Sequence, residues 1–161
     1  MKRIFLHGLE GSSRGLKATL LRGIFPDIII PDFEGSLDER MGRLAPILGD
    51  EPEWMIVGSS FGGLMAALWA CSNPGRVKKL VLLAPALLHH PDFERAAEQP
   101  VAVPTWLFHG TRDEVVPMEP ALQLARRVFS ALEVHVVDDD HALWATCNTI
   151  DWPALLSLEA R

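Results

Sequence analysis

Cysteine is scarce in this chain. Cys71 and Cys147 are the whole supply in 161 residues, with no CxxC spacing, and they sit among apolar residues. That excludes a disulfide scaffold and reads as two buried free thiols of a reducing compartment. No apolar run approaches the ~20 residues of a membrane span, and the opening MKRIFLHG turns polar too soon for a signal-peptide core. A cytoplasmic protein with no membrane partner is the expectation. A basic patch is missing too: Arg14, Lys17, Arg22, Arg76, Lys78, Lys79, Arg126 and Arg127 are scattered, net charge is −6 and pI is near 5.4. Nucleic acid is thereby excluded as a partner. Gly8 to Lys17 contains no GxxxxGK[ST], and no GxGxxG follows a strand, so neither a phosphate loop nor a dinucleotide fold is supported. Tyrosine is absent altogether, and that absence has no functional reading.

There is no internal repeat, linker or low-complexity tract, so residues 1–161 read as a single domain. A chain of this length can remove roughly 68–70% of its unfolded surface from water. Short apolar runs alternate with longer segments of helical period, the pattern of helices covering a mostly parallel sheet in a three-layer α/β/α sandwich. Six strands are expected, at residues 3–6, 27–30, 53–57, 79–83, 105–109 and 133–137. Leu16, Leu20, Leu21 and Ile24 share one helical face, as do Leu122, Ala125, Val128 and Phe129. Ser36-Leu37-Asp38-Glu39 has capping-box spacing, and Pro46 is expected to end or kink the helix it starts. Asn73-Pro74-Gly75 stops a later helix. Pro85 to Pro104 is a long connection with room for one or two short helices.

Between the apolar run Trp54 to Val57 and the apolar run Leu64 to Trp69 stands GSSFGG. A plain connector needs one glycine, whereas this one has Gly58, Gly62 and Gly63 around Ser60. The spacing fits G-x-S-x-G at a strand-to-helix turn, where the residues two before and two after the Ser crowd each other and the next strand. A missing Cβ at both places leaves the room for an exposed Ser60, whose oxygen faces the first amides of the following helix. A five-residue match of this kind arises by chance in about one chain in twenty of this length. A tight structural turn is the competing reading.

A nucleophilic Ser needs a base, and the base an orienting acid. Asp113 lies in the loop after the fifth strand candidate, and His141 in the loop after the sixth. Catalytic groups of open parallel sheets collect at the carboxyl ends of strands, and Ser60, Asp113, His141 occur in the chain order of one hydrolase class. The glycine-rich loop His7 to Ser13 would supply a backbone amide at Leu9, and the helix start one at Phe61, as donors to an oxyanion. His89 and His90 either line the pocket or sit in a solvated loop. His7 and His109 read as makers of structural loop hydrogen bonds, His135 as a surface or interlayer residue. Asp138-Asp139-Asp140 beside His141 reads as a solvated turn and helix start rather than a metal cage. Asp32 is an alternative acid whose place before the Ser breaks the expected order.

His7-Gly8, GSSFGG, His109-Gly110-Thr111-Arg112-Asp113-Glu114-Val115-Val116-Pro117 and Asp140-His141-Ala142-Leu143 resemble the four signature segments of the α/β-hydrolase fold family, above all its small, lid-poor esterases and thioesterases. The resemblance implies Ser60 as nucleophile, His141 as base, Asp113 as acid, and the Leu9 and Phe61 amides as the oxyanion hole. It implies an acyl-serine route to cleavage of a small-molecule ester or thioester by a monomer or homodimer, with no metal and no organic cofactor. An acyltransferase would use the same residues, and a non-catalytic binding module could keep the fold. The chain lacks the early antiparallel strands and lid of larger members, and Glu10 brings a negative charge into the oxyanion loop. Leu87, Leu88, His89 and Trp144 are the expected pocket wall, with Leu9 beside them.

Overall fold

The computed structural model describes residues 1–157. Five strands make one sheet: β1 (Lys2–Leu6), β2 (Trp54–Ser59), β3 (Val77–Leu83), β4 (Thr105–Gly110) and β5 (Leu132–Val137). Every neighbouring pair is parallel, and the spatial order follows the chain order. Alternate side chains of each strand serve opposite faces. Ile4, Leu6, Trp54 and Ile56 join one core cluster, while Phe5, Met55 and Val57 join the other. Both faces being buried, the strands read as unbroken apolar runs rather than as alternation.

The helices divide by the direction in which the chain steps across the sheet. After α1 (Leu16–Ile24) the chain passes outside β1, and it returns through α2 (Leu37–Leu48) to β2. It then moves steadily outward through α3 (Phe61–Ser72), α4 (Asp92–Ala96) and α5 (Met118–Val128). Parallel crossovers share one hand, so steps in one direction place their helices on one face. Leu44, Leu64, Phe93 and Leu122 accordingly lie in one core, and Ala18 and Leu21 of α1 lie in the other. The latter is completed by Cys147 of α6 (Trp144–Cys147) and Trp152 of α7 (Trp152–Leu155). The reversal falls between β1 and β2, which is where an open parallel sheet forms a crevice at its carboxyl edge.

Among the described residues the sheet has five strands, not six. The expected strand at 27–30 is reduced to one parallel bridge, Ile4 to Ile29, with Ile29 N donating to Arg3 O and Phe5 N to Ile29 O. The next ladder bond would need an N–H at position 31, and Pro31 has none. Pro46 does not end its helix, because α2 continues to Leu48. It stands in the last turn on the exposed side, and having no N–H it leaves the Gly42 carbonyl without its helical donor. The capping box is present: Ser36 Oγ accepts from Glu39 N, and Glu39 accepts from Ser36 N. On α1 the buried face is Ala18 and Leu21, while Leu16 at the helix start stays exposed beside a cavity. The long connection forms a 3-10 turn at Leu87–His89 and then α4. Both thiols are free, and burial pushes each up to about 11. No helix of the described residues is long and apolar enough to cross a membrane.

Candidate active site

Ser60 follows β2 and caps α3 with φ 55° and ψ −114°, a left-handed backbone that a side chain rarely adopts. The turn is pinned on both sides. Ser60 N donates to Leu83 O of β3, and Ser60 O accepts from Gly63 N, Leu64 N and Ala86 N. The flanking glycines answer to crowding: a Cβ at Gly58 would meet Gly63 Cα at 2.8 Å, and one at Gly62 would run into the Leu6 carbonyl of β1. Neither neighbour is a flexible side chain, so neither can yield cheaply.

Asp113 follows β4 and His141 follows β5, and both reach the crevice above Ser60. His141 Nε2 lies 2.9 Å from Ser60 Oγ, and His141 Nδ1 lies 2.8 Å from Asp113 Oδ2. The Asp113 side chain has no solvent exposure. Burial alone would raise its pKa, but hydrogen bonds from the Val116 amide, His141 and the Val115 amide outweigh that and hold the carboxyl below its ordinary range. An ionised carboxylate only accepts, so His141 carries its hydrogen on Nδ1 and keeps Nε2 free to accept the Ser60 proton.

The donors expected at the oxyanion position are available. Among the described residues neither Phe61 N nor Leu9 N donates a hydrogen bond to a protein acceptor. Gly8 brings the first loop against Ser60, since a Cβ there would stand 3.3 Å from Ser60 Cβ. His7 is engaged in the loop itself: its Nδ1 lies 2.6 Å from Gly8 O, and its Nε2 accepts from Phe33 N at 3.0 Å. Asp32 is turned away, accepting from Ser13 N and Ser13 Oγ.

The expected pocket wall needs correction. Leu87 has no exposure and belongs to the core, because the 3-10 turn directs it under the sheet edge and leaves Leu88 outside at 42%. His89 is exposed and meets the Phe61 ring edge-on at 5.6 Å. Arg40, a buried guanidinium with no place in the sequence analysis, also meets that ring; its Nε donates to Gly35 O and its carbon stands 5.3 Å from the ring centre. A cavity of about 230 Å³ lies between the first loop, the start of α1 and the residues after His141. Gly8, Ser59, Leu16, Lys17, Ala142 and Trp144 line it. Trp144 lines this cavity, whereas Leu87, Leu88 and His89 do not. Burial lowers the Lys17 pKa, with Cys147, Asp140 and Asp139 opposing. A larger cavity of about 860 Å³ lies against Met55, Trp106, Phe108, His135 and Leu155. Neither cavity is lined by Ser60, Asp113 or His141 themselves, but the smaller one is lined by Ser59 and Ala142, their chain neighbours, and by Gly8.

Asp139 is not a solvated turn residue. It is 6% exposed, and its carboxylate accepts from Thr146 N, Thr146 Oγ1 and Asp140 N, tying the His141 loop to α6. Burial would raise its pKa, but these donors prevail and lower it. A carboxyl more acidic folded than unfolded contributes stability that is complete above the unfolded value, about 3.9, and is lost as pH falls through and below it. Asp139→Asn should therefore cost about 1–3 kcal/mol near neutral pH, measured by urea denaturation. The gap from the parent should close below about pH 4, and a gap that persists unchanged there would refute the assignment.

A family model for the alpha/beta hydrolase fold matches residues 11–117. The chain belongs to the alpha/beta hydrolase fold family. Among solved structures it is similar to alpha/beta hydrolase domain-containing protein 10 from mouse, at 21% identity over 91% of this chain and 85% of that one, with a TM-score of 0.75. Est1E from Butyrivibrio proteoclasticus with ferulic acid bound is 14% identical over 91% and 83%, with a TM-score of 0.71. An esterase of Pyrococcus furiosus is 16% identical over 95% and 79%, with a TM-score of 0.71. At these identities the likeness is one of fold. Among the curated proteins nothing matches.

Proposed function

We propose that the protein is a serine hydrolase that cleaves a carboxylic ester or thioester through an acyl-Ser60 intermediate. The observation that carries this reading is the continuous path Ser60 Oγ, His141, Asp113 at 2.9 and 2.8 Å. His141 Nε2 takes the Ser60 proton as Oγ bonds to the carbonyl carbon, and the carbonyl oxygen becomes an oxyanion facing the Phe61 and Leu9 amides. His141 then returns the proton to the departing alkoxide or thiolate. Water, activated by the same nitrogen, releases the acid and restores Ser60. Each oxyanion donor is worth about 3–4 kcal/mol in such a reaction.

The cavity supports a modest acyl or leaving group. At roughly 30 Å³ per small group, 230 Å³ admits about seven groups. Each buried CH₂ contributes about 0.8 kcal/mol, near fourfold in rate constant. On p-nitrophenyl esters kcat/KM should climb with the first carbons, level off by about six to eight, and show no jump at the micellar threshold. A fluorophosphonate probe should label the protein once, at Ser60. A protein that resists the probe and leaves every ester intact would be a binding module of the same fold; rates climbing through long chains would refute the small site alone.

A further inference from the structure

His109 is the penultimate residue of β4, four residues before Asp113, and its side chain is wholly buried. Its Nε2 lies 3.1 Å from the Val116 carbonyl oxygen and 3.2 Å from Asp113 Oδ2. Both neighbours are acceptors, so the ring hydrogen sits on Nε2. Nδ1 is then a bare acceptor, and it is buried with no partner. Leaving a buried acceptor unmade is disfavoured, and a leucine of similar size would avoid it. Something else must favour a histidine there, and the candidate is what Nε2 does.

That nitrogen bears on Asp113 in two ways, by one direct contact and by one through Val116. Asp113 Oδ1 accepts from Val115 N and Val116 N, both at 2.8 Å. By donating to the Val116 carbonyl, His109 secures the segment that supplies those amides. It also turns the positive edge of its ring to Oδ2, the oxygen that faces His141. We infer that His109 is a positioning residue, acting through Asp113 to hold the carboxylate where His141 Nδ1 meets it. This inference rests on the reading of Ser60, His141 and Asp113 as a catalytic trio.

The test is a double-mutant cycle on the whole protein, read as kcat and KM with p-nitrophenyl acetate and as the rate of fluorophosphonate labelling. His109→Leu should lower kcat about ten- to a hundredfold with KM nearly unchanged. His109→Gln, whose amide nitrogen reaches the place of Nε2, should retain most of the activity. In an Asp113→Asn background the Leu substitution should cost less than about threefold, because residues acting as one unit are not additive. Equal fractional losses in the two backgrounds, or a Gln variant as impaired as the Leu one, would show a general packing role and overturn the inference. Should His109→Leu fail to fold, His109→Asn, too short to reach both acceptors, replaces it in the same comparison. Failure of the trio itself shows separately, as hydrolysis that survives Ser60→Ala.

Discussion

Ser60→Ala should remove hydrolysis almost entirely, by roughly a millionfold in kcat, while the chain stays folded. Without Oγ there is no atom to attack the carbonyl, and the residual rate reflects only binding and the Phe61 and Leu9 amides. The fold should not suffer, because what holds the turn is backbone: Ser60 N to Leu83 O, and Ser60 O to Gly63 N, Leu64 N and Ala86 N. Alanine keeps a Cβ at φ 55° and with it the strain, whereas glycine does not. Ser60→Gly should therefore be equally inactive yet melt at a higher temperature than Ser60→Ala, with up to about 1–3 kcal/mol of backbone strain relieved. The checks are kcat/KM on p-nitrophenyl acetate and thermal unfolding of the three proteins. Hydrolysis retained by either variant would remove Ser60 from its role.

Asp113→Asn should lower kcat by about ten-thousandfold with a much smaller change in KM. The amides of Val115 and Val116 will claim the remaining carbonyl oxygen at the Oδ1 position. The new NH₂ group must then face His141 Nδ1, where a carboxylate oxygen had accepted at 2.8 Å. Two donors cannot share that contact, so His141 moves its hydrogen to Nε2 and presents a donor, not an acceptor, to Ser60. The base is lost although every heavy atom can stay in place. Asp138→Asn is the control: Asp138 pairs with Arg112 with side-chain exposures of 88% and 62%, and a surface pair of this kind is worth little. Turnover falling further in Asp138→Asn than in Asp113→Asn would reassign the acid.

The layering of the fold was legible because it is written in local periods. Strands buried on both faces must be apolar throughout, as at Trp54 to Val57 and Leu80 to Leu83, and the intervening helices must carry a buried face, as Leu122, Ala125 and Val128 do on α5. The elbow was legible because crowding at one turn demands glycine at two positions. Where period and pairing disagreed, the reading failed: residues 27–30 have strand composition, but a ladder needs an N–H at every second residue, and Pro31 interrupts it.

By itself the sequence determined the layers, the exposed serine at a strand-to-helix turn, and the order in which an acid and a histidine follow two later strands. Those depend on neighbours within a few residues. Only the tertiary structure decided which side of Ser60 has a cavity, that Leu87 points into the core, that Asp139 anchors the His141 loop, and that His109 stands against Asp113. Each of these is a meeting of side chains across strands and loops. A one-residue slip in the register of β4 would turn His109 to the other face without altering any local pattern, because successive residues of a strand point to opposite sides.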